Sequence, residues 1–147
     1  MAMPIAEGDH LYQYAIIDGS LDMHLDPGKL AAQTGHAFGD SFKNAEEICP
    51  ETAQAYRDPS RGGSKVTLEA KNASHLIKAF SKARKLGIPC ALIVDQHHVL
   101  PPHFTGKPII TAIGIGPCTK AQCREVTKKF QCVKRIVLNQ NNNNHQE

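Results

Sequence analysis

Apolar runs at residues 12–18, 65–70, 91–94 and 109–115 alternate with segments whose apolar residues recur at helical spacing. That alternation confines the chain to a layered α/β architecture. Local signals bound the helical segments. Asp26 and Pro27 read as an N-cap and a first helical residue, opening a helix expected to end near Lys43 or Asn44. Residues 50–56 suit a short second helix, and residues 57–64, with Asp58-Pro59 and Gly62-Gly63, a turn-rich connector. Asn72 caps a helix with Ala73, Leu76, Ile77, Phe80 and Ala83 on one stripe, and Gly87 followed by Pro89 ends it. Thr119 and Gln122 form a capping box for a helix over about 120–130. Residues 133–138 read as a short extended end. Residues 139–147 are asparagine-rich and have no means of burying apolar surface, so a disordered tail is expected there. The folded part is then one domain over residues 1–138.

A chain of 147 residues with 41% hydrophobic content can bury a real core. No apolar run has the length of a membrane span, so no membrane association is expected. The first nine residues lack a basic start followed by an apolar core, and the five cysteines (49, 90, 118, 123 and 132) are odd in number. Both features predict reduced thiols and a cytoplasmic location. Cys118, Cys123 and Cys132 match no common zinc spacing. The net charge of +3 permits a polyanionic partner without demanding one.

Chemistry concentrates first in Pro27-Gly28-Lys29-Leu30-Ala31-Ala32-Gln33-Thr34-Gly35-His36-Ala37. Lys29 falls in the first turn of the helix, at the positive end of its dipole. A cation there is worse placed by a few tenths to roughly 1 kcal/mol. A carboxylate across a cleft, or an anionic ligand, should compensate. Gln33 and His36 share the Lys29 face at helical spacing. Leu30, Thr34, Ala37, Phe38 and Phe42 are expected on or near the opposite, inward stripe.

Asp95 ends the apolar strand Pro89-Cys90-Ala91-Leu92-Ile93-Val94-Asp95, and ligands of open α/β sheets gather beyond strand carboxyl ends. An Asp95 carboxylate opposite Lys29 would offset the lysine's position and suit the orientation of a water for attack on an ester. Thr111 offers a hydroxyl at the start of a fourth strand, and Gln33 an amide donor for an oxyanion.

The lysine segment, the strand-end Asp95 and Thr111-Ala112-Ile113-Gly114-Ile115-Gly116-Pro117 together resemble the type 2 peptidyl-tRNA hydrolase family, the archaeal and eukaryotic class. The resemblance runs from about residue 12 to about residue 136. It implies a single α/β domain built on a four-stranded mixed sheet with helices on both faces. It also implies hydrolysis of the ester joining a peptide to the tRNA 3′ end, without metal or organic cofactor, at Lys29, Gln33, Asp95 and Thr111.

The chain departs from the family pattern near Asp95. Ala-Gly-Arg-Thr, which usually follows the aspartate, is replaced by Gln96-His97-His98-Val99. The loop over residues 100–107 is longer than usual, and Thr105 within it is a candidate for the missing hydroxyl. A second lysine, usual two residues before Lys29, is replaced by Pro27. These departures leave open a catalytically weak binding protein on the same fold, holding tRNA or a protein partner, and a hydrolase of a different ester or amide. His97, His98 and His103 invite a metal reading, but adjacent histidines on an extended segment point apart.

Lys120, Arg124 and Lys128 recur every fourth residue on the last helix, and Lys71, Lys78, Lys82 and Lys85 line one side of the third. Such rows suit phosphates and equally suit a solvated face. The expected partner is peptidyl-tRNA, with a homodimer as a further form open to the chain.

Overall fold

The structure, a computed structural model, describes residues 5–6 and 8–133. Strand β1 (Leu11–Asp18) leads through two 3-10 turns, Gly19–Leu21 and Met23–Leu25, into the long helix α1 (Pro27–Ile48). Helix α2 (Pro50–Arg57), strand β2 (Gly62–Ala70), helix α3 (Ala73–Lys85) and strand β3 (Cys90–Asp95) follow. A small hairpin comes next, β4 (Val99–Leu100) and β5 (Phe104–Thr105), then β6 (Ile109–Cys118), α4 (Lys120–Thr127) and β7 (Gln131–Cys132).

The sheet runs β3-β6-β1-β2-β7. Only β1 and β2 are parallel, and every other neighbouring pair is antiparallel. The mixed sheet with helices on both faces matches expectation, but it has five strands rather than four. The fifth, β7, pairs Gln131 with Glu69 and Cys132 with Leu68. Two residues, one of them polar, leave no periodic trace in a sequence. The same edge pairing explains why α4 stops at Thr127 rather than near residue 130. The chain turns there, with Phe130 N donating to Thr127 O, and enters β7.

Local caps fall where the sequence puts them. Asp26 accepts from Lys29 N, Asn72 from His75 N, and Thr119 and Gln122 form the reciprocal box. Helix α1 outruns its expected end by several residues. It stops only where Cys49, at φ −148° and ψ 68° outside the helical region, precedes the proline that begins α2.

Two apolar layers sandwich the sheet. On one side Ile16, Ile113 and Ile115 pack with Leu76, Ala79 and Ala83 of α3 and Cys123 and Val126 of α4. On the other, Ala15, Ile17, Ile93 and Ala112 pack with Leu21, Met23, Ala37 and Phe104. Strands β1 and β6 are covered on both faces, so they read as near-continuous apolar runs.

Helix α1 lies unusually close to β6. A Cβ on Gly114 would sit 2.1 Å from the Ala37 carbonyl oxygen and 2.8 Å from Ser41 Cβ. Only a glycine admits that approach. Two buried polar side chains bind the layers together. Ser41 Oγ donates to the Gly116 carbonyl, and Gln13 Nε2 donates to Phe38 O at 2.9 Å. The Gly-Ile-Gly-Pro stretch is therefore the seat on which α1 rests, and that seat fixes where Lys29 and Gln33 arrive. Among the described residues no helix is long and apolar enough to cross a membrane.

Candidate active site

Strand β1 ends, β3 ends and β6 begins at one end of the sheet, because β6 runs antiparallel to both neighbours. The chain leaving β1 delivers the N-terminus of α1 to this end, capped by Asp26 Oδ1 on Lys29 N at 3.1 Å. Lys29 Nζ meets Asp95 Oδ2 at 2.7 Å. Both side chains are largely withdrawn from water, 9% exposed for Lys29 and 17% for Asp95. The carboxylate offsets the unfavourable place of the cation in the first helical turn.

Beneath this pair Thr111 Oγ1 donates to Gln33 Oε1 at 2.5 Å, and both residues are buried. Thr111 reaches α1 because β6 is bulged. Ile93 pairs with Ala112 and Val94 with Ile110, so Thr111 is the extra residue on the β6 side. Ile110 and Ile113 pack on the α3 face, whereas Ala112 faces α1. The bulge turns Thr111 to the α1 face beside Ala112, the re-aiming that bulges commonly perform next to functional sites. The hydrogen bond takes the oxygen end of the Gln33 amide and leaves its NH₂ end as a donor.

Gln33 does not lie on a solvated face with Lys29 and His36, as the spacing suggested. The buried stripe of α1 is Gln33, Ala37, Ser41 and Ala45, every fourth residue, while His36 is exposed. Small residues at that interval let the helix sink onto β6 and draw Gln33 under with them. Of the apolar set expected inward, Ala37 is fully buried and Leu30 and Phe38 pack at the core's edge. Phe42 turns instead to Tyr56, with ring centroids 6.1 Å apart.

The loop after Asp95 folds back as the β4–β5 hairpin. His97, at φ 63°, turns the chain, His97 N donates to Gly106 O and Gly106 N donates to His98 O. Phe104 is 2% exposed, and Lys29 Nζ sits 4.4 Å from its ring centroid. Sequence reasoning missed this residue, because its burial arises from contacts distant in the chain. Thr105, the candidate for the missing hydroxyl, is exposed and pairs across the hairpin with Val99.

Among the described residues no group of three His, Cys, Asp or Glu side chains is arranged to hold a metal ion. The loop histidines have separate partners: His98 meets the Phe104 ring edge-on and His103 Nε2 meets Asp22 Oδ2 at 3.1 Å. All five cysteines are free.

The family model for peptidyl-tRNA hydrolase PTH2 matches residues 11–133, a span that holds every residue of this site. The chain belongs to the peptidyl-tRNA hydrolase PTH2 family. Curated relatives are archaeal proteins named peptidyl-tRNA hydrolase. One from Methanococcus maripaludis strain C7 is 31% identical over 82% of this chain and 98% of its own. One from Pyrobaculum aerophilum is 32% identical over 77% and 91%, and one from Methanocaldococcus jannaschii 32% over 65% and 78%.

In this member of the PTH2 family the basic rows stand away from the Lys29 pair. Helices α3 and α4 pack on the sheet face opposite α1. Lys120 and Arg124 are exposed on α4, and Lys128, expected on the same helix, is exposed just past its end as the capping residue. Lys120 Nζ lies 5.1 Å from the Tyr12 ring centroid, and Lys128 Nζ is 2.8 Å from Glu125 Oε2. Glu125 also faces Lys82 of α3 at 3.9 Å, so the two rows share one surface.

Proposed function

We propose that this chain hydrolyses the ester joining a peptide, or an N-blocked amino acid, to the 3′ end of tRNA, releasing peptide and free tRNA. One observation carries the reading: the Lys29–Asp95 pair, held at 2.7 Å at the sheet end where α1 begins. Family membership and the names of the archaeal relatives support the substrate.

In this reading Asp95 is the general base. It takes a proton from a water whose oxygen attacks the ester carbonyl carbon. Lys29 orients the Asp95 carboxylate and supplies positive charge to the oxygen that becomes negative in the tetrahedral intermediate. The free NH₂ end of Gln33 is a second donor to that oxygen. Thr111 is fully buried and acts through Gln33 by fixing its amide. Collapse of the intermediate breaks the bond to the ribose oxygen, which leaves with the proton held by Asp95. No metal or organic cofactor enters this scheme.

Lys120, Arg124 and Lys128 are proposed contacts to the tRNA body, reached around the sheet from the opposite face. A cytoplasmic location belongs to the same reading, and the five free thiols support it. A homodimeric form belongs to the same reading, and light scattering at working concentration tests it.

A second reading is a tRNA- or protein-binding member with little turnover. It draws on the replacement of the usual loop by Gln96-His97-His98-Val99. Release of peptide from purified peptidyl-tRNA decides between them. Turnover by the unaltered chain, abolished in Asp95→Asn, is expected. Binding without release would favour the second reading and sink the first.

A further inference from the structure

We propose that Phe104 is a positioning residue for the Lys29 ammonium, which its ring holds in place together with Asp95. The proposal rests on the reading of Lys29 and Asp95 as the reacting pair.

Phe104 comes from the two-residue strand β5, an element too short to bury a side chain by its own periodicity. The hairpin is nevertheless fixed at several points. Backbone bonds join His97 to Gly106 and Gly106 to His98 at its base, 3.2 and 2.8 Å long. Near its tip His103 reaches Asp22, in the turns just before α1, at 3.1 Å. The hairpin thus spans from the end of β3 to the chain that starts α1, the two segments that carry Asp95 and Lys29.

Orientation within this frame is what separates Phe104 from an apolar filler. His98 packs against the ring in a T-shaped contact, centroids 5.5 Å apart and planes at 81°. The Lys29 ammonium lies 4.4 Å from the ring centroid. The Lys29 side chain is only 9% exposed, and Asp95 accepts from one of the three N–H donors of its ammonium. An aromatic face is the one uncharged apolar surface that attracts a desolvated cation, through its quadrupole. A leucine would fill the same space and leave the ammonium free to swing from Asp95.

The test replaces Phe104 with mono-, di- and trifluorophenylalanine. These keep size and shape while withdrawing negative charge from the ring face. Two quantities are read. The first is the rate at which an amine-reactive anhydride modifies Lys29, followed by mass spectrometry relative to exposed Lys71 in the same molecule. The second is steady-state hydrolysis of peptidyl-tRNA. Lys29 modification is expected to rise with each added fluorine, to roughly 3- to 10-fold at the third, and kcat to fall in the same order with KM steady. A merely structural ring would show neither trend, since packing is unchanged. Level turnover across the series in an active enzyme overturns the proposal, whatever the labelling shows. If the unaltered chain releases no peptide at all, the hydrolase reading falls and labelling alone decides. A graded series then upholds the ring as the partner of Lys29, and a flat one overturns it.

Discussion

Lys29 Nζ and Asp95 Oδ2 lie 2.7 Å apart although 66 residues separate them in sequence. The contact joins the first turn of α1 to the end of β3, and it makes stability and activity separable. Replacing Lys29 alone leaves a mostly buried carboxylate without its cation. The loss should be roughly 1–3 kcal/mol, less than for a fully enclosed pair because Asp95 keeps some exposure. Replacing both, Lys29→Met with Asp95→Leu, should restore most of that stability and none of the activity. Asp95→Asn alone should keep the fold and lower kcat by about 10²–10⁴-fold, the usual scale of general-base catalysis. Denaturant unfolding and a peptide-release assay measure the two effects. Near-normal turnover in a folded Asp95→Asn protein would remove Asp95 from its role.

Gly114→Ala should displace α1. The added methyl meets a backbone carbonyl at 2.1 Å, which cannot rotate away as a side chain can. Overpacking of this kind typically destabilises by about 1–3 kcal/mol, and a backbone clash falls at or above the upper end. Turnover should fall with it, because α1 carries both Lys29 and Gln33. Gly35→Ala on the same helix is the control. Its Cβ meets nothing within 4 Å, so it should stabilise by up to about 1 kcal/mol. Equal melting temperatures for the two variants would refute the account of Gly114 as a seat.

What the sequence disclosed, and what it withheld, divides by the range of the interactions. The caps at Asp26, Asn72 and Thr119 were legible because donor and acceptor lie within three residues. The start of α1 and the strand-end carboxylate were legible for the same reason, and the unfavourable place of Lys29 pointed to a carboxylate partner. The burial of Gln33 was not read, although small residues at positions 37, 41 and 45 hinted at a stripe that sinks. The bulge at Thr111 could not be read. Ile-Ile-Thr-Ala-Ile is apolar on both sides, so no break in alternation shows. Phe104 lies in a stretch whose sequence reads as loop. Its burial depends on α1, β3 and the hairpin meeting in three dimensions. Residues 139–147, expected to be a disordered tail, and residues 134–138, most of the expected extended end, lie outside the described residues.

Thr111→Val keeps shape and removes the hydroxyl that donates to Gln33 Oε1. A buried acceptor left unpaired typically loses about 1–3 kcal/mol. The Gln33 amide is then free to rotate, so kcat should fall while KM changes little. Thr111→Ser retains the hydroxyl and should recover most of kcat. Equal kcat in the valine and serine variants would show that Gln33 orientation does not matter to the reaction.

Alkaline pH should destabilise the fold through Cys90. Burial pushes its thiol up to about 11 from an ordinary value of 9.0, despite a small opposing pull from Arg84. Tyr14 is shifted the same way, chiefly by burial. For an acid raised in the folded state, the unfolded chain releases its proton first. Stability is therefore full below pH 9 and declines as pH rises from about 9 toward 11. The share from Cys90 is on the order of 2 kcal/mol. Denaturant unfolding of Cys90→Ala should show a shallower decline between pH 8 and pH 10.5 than the unaltered chain, by about that amount. Parallel profiles would mean that Cys90 ionises as freely folded as unfolded.

The tRNA contacts proposed for α4 make a prediction through salt. Lys120, Arg124 and Lys128 lie on the sheet face opposite α1, so exchanging all three for Gln leaves the Lys29–Asp95 pair untouched. Each phosphate contact contributes about 0.7–0.9 to the slope of log affinity against log salt. Lys128 is already paired with Glu125, and Lys120 rests over Tyr12. The triple variant should therefore lose roughly one to two contacts' worth of slope rather than three. Affinity for tRNA should drop while kcat at saturating substrate stays level, since the residues proposed for the chemistry lie on the other face. The measurement is tRNA binding by fluorescence anisotropy across a salt series. An unchanged affinity and slope would show that this stripe is a solvated helix face, and that tRNA is gripped from the α1 side alone.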